Sequence, residues 1–171
     1  ADAPVWSMPA DEAAATLAEL GRLEAQVVEL RLRTLARLDR DEVAAATAAP
    51  STAAWYAAEA HTVLRAAHRD VRLARGLDEH ELTREALAAG RVHVEQAQVV
   101  LAAMAALPPN LDPDLRDRAE RHLLGEAEHH DPKALRILGR RILEVVAPDL
   151  ADAQEAALLE KEERDAAAGT Q

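Results

Sequence analysis

Residues 51–80 read STAAWYAAEAHTVLRAAHRDVRLARGLDEH. From Thr62 onward, apolar side chains recur every three or four residues, the period of one face of an α-helix: Leu64, Ala67, Val71 and Ala74. Basic side chains repeat at the same spacing on the opposite side: Arg65, His68, Arg69, Arg72 and Arg75. The pattern predicts a helix over 62–75 that packs on a core and presents guanidinium groups outward. Such a face suits phosphates or base edges in a DNA groove.

Local signals around this helix predict a second, shorter helix immediately before it. Ser51 or Thr52 can cap the shorter helix, and His61 with Thr62 marks the break. Thr62 can cap the basic helix, because Ser and Thr side chains accept hydrogen bonds from the first backbone N–H groups. Gly76 suits the left-handed residue that ends many helices. We therefore predict a helix-turn-helix-like centre.

Capping signals and prolines predict further helices on both sides of this centre. A long helix should run from Ser7–Pro9 to about Asp39, and residues 41–49 either continue it or form a short separate helix. The remaining predicted helices are Glu81–Ala89, Val94–Leu107, about 113–128, 132–147, and an acidic last helix from Leu150 to about Ala167. No strand-like alternation occurs, and Ala and Leu are strong helix formers. The sequence predicts an all-α bundle of six to eight helices.

The long first helix carries an apolar seam with heptad-like spacing. The seam consists of Leu20, Leu23, Val27 and Leu30, with Val28, Leu32 and Leu35 beside it. Two interpretations stay open, because either the helix packs entirely on its own domain or the seam pairs two copies as a homodimer.

Composition limits the class of protein further. A chain of 171 residues suits one domain, or one domain and a small appendage. We place the first helix in 1–50, the helix-turn-helix-like core in 51–110 and the C-terminal helices with an acidic tail in 111–171. The absence of cysteine excludes disulfides and thiolate metal sites and fits a cytoplasmic location. No apolar run approaches the length of a membrane span, and no signal-peptide pattern begins the chain. We expect no cofactor.

Charge is distributed unevenly along the chain. The net charge of −11 argues against nonspecific nucleic-acid binding by the whole surface. Acidic residues are in excess mainly in 1–50 and 148–171, whereas His61 to Leu77 holds four Arg and one Asp. This segment is predicted to be the compact basic stretch of the protein.

Several other side chains are candidates for a metal, base-stacking or catalytic site. His122, Glu126 and His129 are spaced to share one helix face, so they are candidate Zn²⁺ ligands; a solvated helix end is the alternative. Trp55 is predicted to anchor the core rather than to stack on bases. Neither Glu59 with His61 nor the segment around His80 has a nucleophile partner, so no catalytic site is predicted.

Three stretches of the centre resemble one known family: Trp55–Ala58, Val71–Arg75 and Ala88–Ala97. They are similar to the domain of unknown function 222 (thirteen-E-twelve repeat) family of actinobacteria, over about residues 10–165. The resemblance implies a helical region that precedes a C-terminal HNH endonuclease module. The same centre is more loosely similar to the helix-turn-helix core of ParB-type partition proteins.

The HNH module itself is missing from this sequence. Its chemistry needs clustered His and Asn around a divalent metal, and the chain holds a single Asn, Asn110. We therefore expect this chain not to be an enzyme, and we expect a longer reading frame to continue past Gln171 into an HNH module.

Two functions remain as hypotheses. The first is DNA recognition or positioning by the basic helix, for a linked HNH nuclease. The second is a helical self-association module that binds no nucleic acid. DNA binding requires the arginine row to be exposed, whereas an assembly module would pair those arginines with acidic segments.

Overall fold

The structure is a computed structural model, which describes residues 5–146 and Pro148. Those residues form helices and turns and contain no strand, which confirms the predicted all-α bundle. After a 3₁₀ turn, Val5–Ser7, the helices are α1 (Ala10–Arg40), α2 (Val43–Ala46), α3 (Thr52–Glu59), α4 (Leu64–Glu79), α5 (Glu81–Ala88), α6 (Val94–Ala105), α7 (Pro113–Ala127), α8 (Pro132–Arg140) and α9 (Ile142–Val146). The predicted helix from Leu150 to Ala167 lies outside the described residues. None of the described helices is long and apolar enough to cross a membrane.

Buried Leu, Val and Ala side chains from both halves of the described chain form one hydrophobic cluster. Helix α1 runs along α4 and α5, while α6 packs against α7 and α8. Small residues allow this close packing. A Cβ on Gly139 of α8 would lie only 2.9 Å from the Cβ of Ala103 in α6, so a larger residue there would push the two helices apart.

Several predicted helix ends are confirmed. The side chain of Ser51 accepts a hydrogen bond from the N–H of Ala54 at the start of α3. Asp112 and Asp131 cap α7 and α8 in the same way, each with a proline at the first helical position. Gly90 follows α5 with a φ of +67°, a left-handed conformation that glycine adopts without steric cost.

The predicted bounds of the basic helix are wrong at both ends. Helix α4 begins at Leu64 after Val63, whose side chain cannot cap it, so Thr62 is not the cap. At the other end, α4 continues through Gly76 to Glu79. Gly76 is a contact residue rather than a helix end, because a Cβ there would lie 3.1 Å from Cδ1 of Leu101 in α6.

The predicted helix over 132–147 is interrupted. The N–H of Arg141 donates to the carbonyl of Leu138, three residues earlier, at 3.0 Å. This tighter bond ends α8, and α9 follows with its buried Ile142 packed into the core. Residues 43–46 form the short separate helix α2, which settles the alternative left open for residues 41–49.

Helix α1 is apolar on two opposite faces. One face is buried in the bundle through Ala25, Leu32, Leu35 and Ala36, with Glu29 buried among them. The opposite face stays exposed: Leu17, Leu20, Leu23, Val27 and Leu30 are 46–72% accessible. The heptad-like seam is therefore not covered by the described part of its own domain.

Candidate functional site

Helix α4 presents its basic side chains to solvent, as the sequence predicts. Ala67, Val71 and Ala74 are buried on its inner face. The outer face, called here the α4 basic face, consists of Arg65, His68, Arg69 and Arg72, all of them exposed. One predicted core residue is wrong: Leu64 is 50% exposed, because it lies in the first turn of α4, ahead of the residues that pack into the bundle.

The α4 basic face is mostly free of intramolecular ion pairs. Within the described residues, Arg65 and Arg72 form no salt bridge, and Arg69 pairs with its neighbour Asp70 at 3.1 Å. A shallow depression lies between Leu64, Arg65, His68 and Arg72. Arg65 and Arg72 are therefore not neutralised by acidic residues of the described chain.

Arg75 has the same sequence spacing as the arginines of the α4 basic face, but in the structure it binds an acidic residue of α1. Its guanidinium binds the carboxylate of Asp39 in α1 through two hydrogen bonds, of 2.6 and 3.0 Å. The hydrogen bond from Arg75 lowers the pKa of Asp39 below its ordinary value. Beside this pair, Arg40 of α1 binds Asp78 of α4. Arg75 thus ties α4 to α1, although its side chain is still 59% accessible.

The start of α4 lacks two features that stabilise many helix N-termini, a side-chain cap and an acidic residue in the first turn. The turn from α3 passes through His61 at a φ of +49°, and the N–H of Thr62 bonds the carbonyl of Ala57 at 3.0 Å to close it. No side chain caps α4, and its first turn contains no acidic residue. The positive end of the helix dipole therefore lies beside another positive charge, that of Arg65.

A second charged cluster, the Glu120 junction, is buried between α5 and α7 and consists of His80, Thr83 and Glu120. The backbone N–H and the hydroxyl of Thr83 both donate to Oε1 of Glu120, at 3.0 and 2.6 Å. Nδ1 of His80 lies 3.0 Å from Oε2. Burial raises the pKa of Glu120, but the hydrogen bonds from His80 and Thr83 lower it by a larger amount. The pKa of Glu120 therefore lies below its ordinary value. The carboxylate thus caps the start of α5 from another helix.

The candidate zinc ligands do not form a common face. Helix α7 ends at Ala127, so His129 lies beyond the helix that was predicted to align it with His122. Oε2 of Glu126 pairs instead with Nε2 of His130, at 3.2 Å. In residues 5–146, no three His, Asp or Glu side chains come close enough to hold a metal ion.

A second basic surface, on α8, was not predicted from the sequence. Lys133, Arg136 and Arg140 are exposed there, at i, i+3 and i+7, and α8 lies beside a groove of about 410 Å³ shared with α6. The segment from Pro132 to Leu143 contains four bases and no acid. This charge pattern is visible in the sequence. The segment from His61 to Leu77 is therefore not the only compact basic stretch.

An apolar groove of about 470 Å³ lies between α1 and α3. Trp55 and Tyr56 of α3 form one wall, and Val27, Leu30 and Leu38 of α1 form the other. Trp55 is partly buried and packs against the core, in line with its predicted role as an anchor. The groove is continuous with the exposed face of α1, because Val27 and Leu30 belong to both.

Comparison with known protein families identifies a match over most of the chain. A family model described as "Domain of unknown function (DUF222)" matches residues 12–169, nearly the whole chain. This match confirms the family resemblance carried by the segments around Trp55, Val71 and Gly90. No curated protein and no solved structure matches the chain.

Proposed function

This chain belongs to the DUF222 family, and we propose that it is a DNA-binding domain that positions a linked HNH nuclease module on the duplex. The observation that carries the proposal is the α4 basic face. It holds three exposed arginines and one exposed histidine, and two of the arginines form no ion pair within the described residues.

The start of α4 supports a phosphate contact in particular. Helix N-termini attract anions through their free N–H groups and the helix dipole. Ser51 and Asp131 cap their helices with side chains, whereas α4 has none. Arg65 stands second in this helix, where a cation opposes the dipole. A DNA phosphate would satisfy both the N–H groups and Arg65.

The connection between α3 and α4 supports a helix-turn-helix arrangement. Four residues, from Ala60 to Val63, join the two packed helices, a length typical of that motif. His61 holds the left-handed conformation at the turn, where a glycine is more usual. In this arrangement α4 is the recognition helix, and its exposed side would enter the major groove.

The proposed binding is weak and depends steeply on salt. Arg65, Arg69 and Arg72 neutralise about three phosphates, which corresponds to a roughly 40-fold loss of affinity between 50 and 200 mM salt. The net charge of −11 further opposes the approach of a duplex. Binding of this kind should be measured at low salt, with a pool of DNA duplexes of mixed sequence.

Charge reversal tests the proposal directly. The double variant Arg65→Glu/Arg72→Glu should lower the affinity for a mixed-sequence duplex at least tenfold, measured by fluorescence anisotropy at low salt. The matched control is Arg118→Glu/Arg121→Glu, which makes the same charge change on the exposed surface of α7. Equal losses in the two variants would indicate a general charge effect, and no binding by the parent chain would refute the proposal.

The second candidate function is self-association without nucleic-acid binding. It is favoured by a different observation, the exposed apolar face of α1, since soluble monomers rarely leave such a stripe uncovered. The described residues do not show the pattern expected if the arginines served assembly alone, because Arg65 and Arg72 are not paired with acidic segments. Mass measurement by light scattering, with and without duplex, separates the two candidates.

A further inference from the structure

The exposed side of α1 differs from the other surfaces of the described chain because it joins an apolar ridge to an apolar groove on one helix. The ridge, in the N-terminal half, is formed by Leu17, Leu20 and Leu23. The groove, in the C-terminal half, lies between α1 and the Trp55–Tyr56 wall of α3. Val27 lies between ridge and groove and is 66% exposed. Because the ridge and the groove lie on either side of Val27, the ridge of one copy could fit the groove of a second copy while the second copy's ridge fits the first copy's groove.

We propose that the occupant of this surface is α1 of a second copy, packed antiparallel across a twofold axis at Val27. The inference deepens the second candidate function, self-association, and is compatible with DNA binding by α4. In this arrangement residues equally far from Val27 face each other. Leu20 of one copy then meets Thr34 of the other, and the ridge of each copy lies along the groove of its partner.

The distribution of charge around α1 selects the antiparallel orientation. Successive residues advance about 100° around a helix. Consider a line that runs along the surface of α1, parallel to the helix axis, through Val27. Leu23 and Leu30 lie on one side of this line, and Glu24 and Arg31 lie on the other. Antiparallel pairing places Leu23 against Leu30 of the second copy and Glu24 against its Arg31. Parallel pairing would place each of these two charges against a leucine.

The charged pair is available for this contact. Glu24 and Arg31 are both exposed, and neither forms a salt bridge within the described residues. The most exposed leucine of the ridge, Leu17, lies on the same side as Arg31. In the antiparallel pair it reaches the groove near Leu38 and Trp55, which supplies an apolar partner for a side chain that is 72% accessible in the single chain.

The available area suits a specific dimer. With the twofold axis at Val27, residues 14–40 of the two copies overlap. This stretch extends about 40 Å, and a contact strip about 10 Å wide covers on the order of 400 Å² on each copy. The groove walls of α3 add to both sides, so the total reaches about 1,000 Å², the lower bound for a specific interface. A small interface of this kind predicts a dimer that dissociates at low concentration.

Engineered cysteines test the orientation, because the chain has no cysteine of its own. In helices packed 9–10 Å apart, Cα atoms that face each other across the contact lie about 4.5–5.5 Å apart, within disulfide range. Val27→Cys should therefore form a disulfide-linked dimer in high yield under mild oxidation, measured on non-reducing gels with the full chain. Gln26→Cys, exposed but directed away from the seam, is the control and should stay mostly monomeric.

The outcomes separate orientation from self-association. Leu20→Cys should cross-link poorly with itself but efficiently when mixed with Thr34→Cys. If Leu20→Cys alone cross-links as well as Val27→Cys, the pairing is parallel, and the antiparallel inference is overturned while self-association stands. If the parent chain is monomeric by light scattering at 100–200 µM and Val27→Cys cross-links no better than Gln26→Cys, both the dimer and this inference fail. Val27→Glu should shift the mass to that of the monomer with unchanged helicity.

Discussion

The Glu120 junction and the α4 basic face place charged groups in opposite environments. At the junction, Glu120 is 5% exposed, and its carboxylate receives hydrogen bonds from Thr83 and His80. On the α4 basic face, Arg65 and Arg72 are exposed and form no ion pair within the described residues. The carboxylate of Glu120 is hydrogen-bonded by the protein itself, whereas Arg65 and Arg72 are exposed to solvent.

This difference separates the residues that hold the fold from those that are free to bind. Removing the partner of a buried, hydrogen-bonded charge is costly, because the group left behind pays its full desolvation penalty. An exposed arginine carries no such requirement, so its removal costs the fold little. Stability measurements on variants of the two regions should therefore give very different values, which the following predictions rank from largest to smallest.

The largest effect is expected for Glu120→Ala. The substitution leaves the N–H and the hydroxyl of Thr83 without their acceptor in a site where Thr83 is fully buried. We expect a loss of about 3 kcal/mol in the free energy of unfolding, measured by urea denaturation at neutral pH. Asp117→Ala, on the exposed side of the same helix, is the control and should change stability by less than about 0.5 kcal/mol. Similar losses for both would contradict the role of Glu120.

A pH titration should show the same junction by a different route. The folded-state pKa of Glu120 lies below its ordinary value of 4.5, so the unfolded chain takes up the proton first as the pH falls. The stabilisation by Glu120 is therefore complete above pH 4.5 and is lost as the pH falls through the lower, folded-state pKa. Glu120→Gln should be less stable than the parent at neutral pH, and the gap should narrow below that pKa. A constant gap would show that the carboxylate charge is not involved.

The helical architecture was predictable because its signals are local. The Asp-Pro pairs at Asp112 and Asp131 and the glycine at Gly90 each act within a few residues of their own helix end. The exposure of the α4 basic face was predictable for the same reason, since periodicity within one helix separates Val71 from Arg72.

The features missed by sequence depend on contacts between distant segments. Glu120 lies 37 residues from Thr83, and nothing in the sequence around either residue indicates the other. Gly76 carries the sequence signal of a helix end, whereas its close approach to Leu101 in α6 depends on the tertiary fold. In the same way, the spacing of the α1 seam did not show which apolar face the bundle would bury. The spacing of Arg75 did not show that Asp39 would bind it.

A smaller loss of stability is expected for Arg75→Ala. Arg75 has features of both regions, because it is exposed like the α4 basic face but is bound to a carboxylate within the protein. Arg75 shares the spacing of the α4 basic face but binds Asp39, which is 15% exposed. Since the guanidinium itself is largely accessible to solvent, we expect a loss of only about 0.5–1 kcal/mol in the free energy of unfolding. Asp39→Ala/Arg75→Ala completes a double-mutant cycle with the two single variants. A coupling energy of zero would mean that the Arg75–Asp39 pair does not stabilise the packing of α4 on α1. Arg75 would then be available for binding, like the residues of the α4 basic face.

The smallest effect on stability is expected for Arg65→Glu/Arg72→Glu, the variant that should reduce DNA binding most. Neither guanidinium contacts an acidic side chain in residues 5–146, so no ion pair is lost. At position 65, the second residue of α4, glutamate complements the positive end of the helix dipole, which arginine opposes. We therefore expect the free energy of unfolding to change by less than about 0.5 kcal/mol, with the Arg65→Glu part stabilising. Thermal and urea unfolding of the two single variants would resolve the sign, and a clear loss of stability in Arg65→Glu would mean that Arg65 serves the fold rather than a ligand.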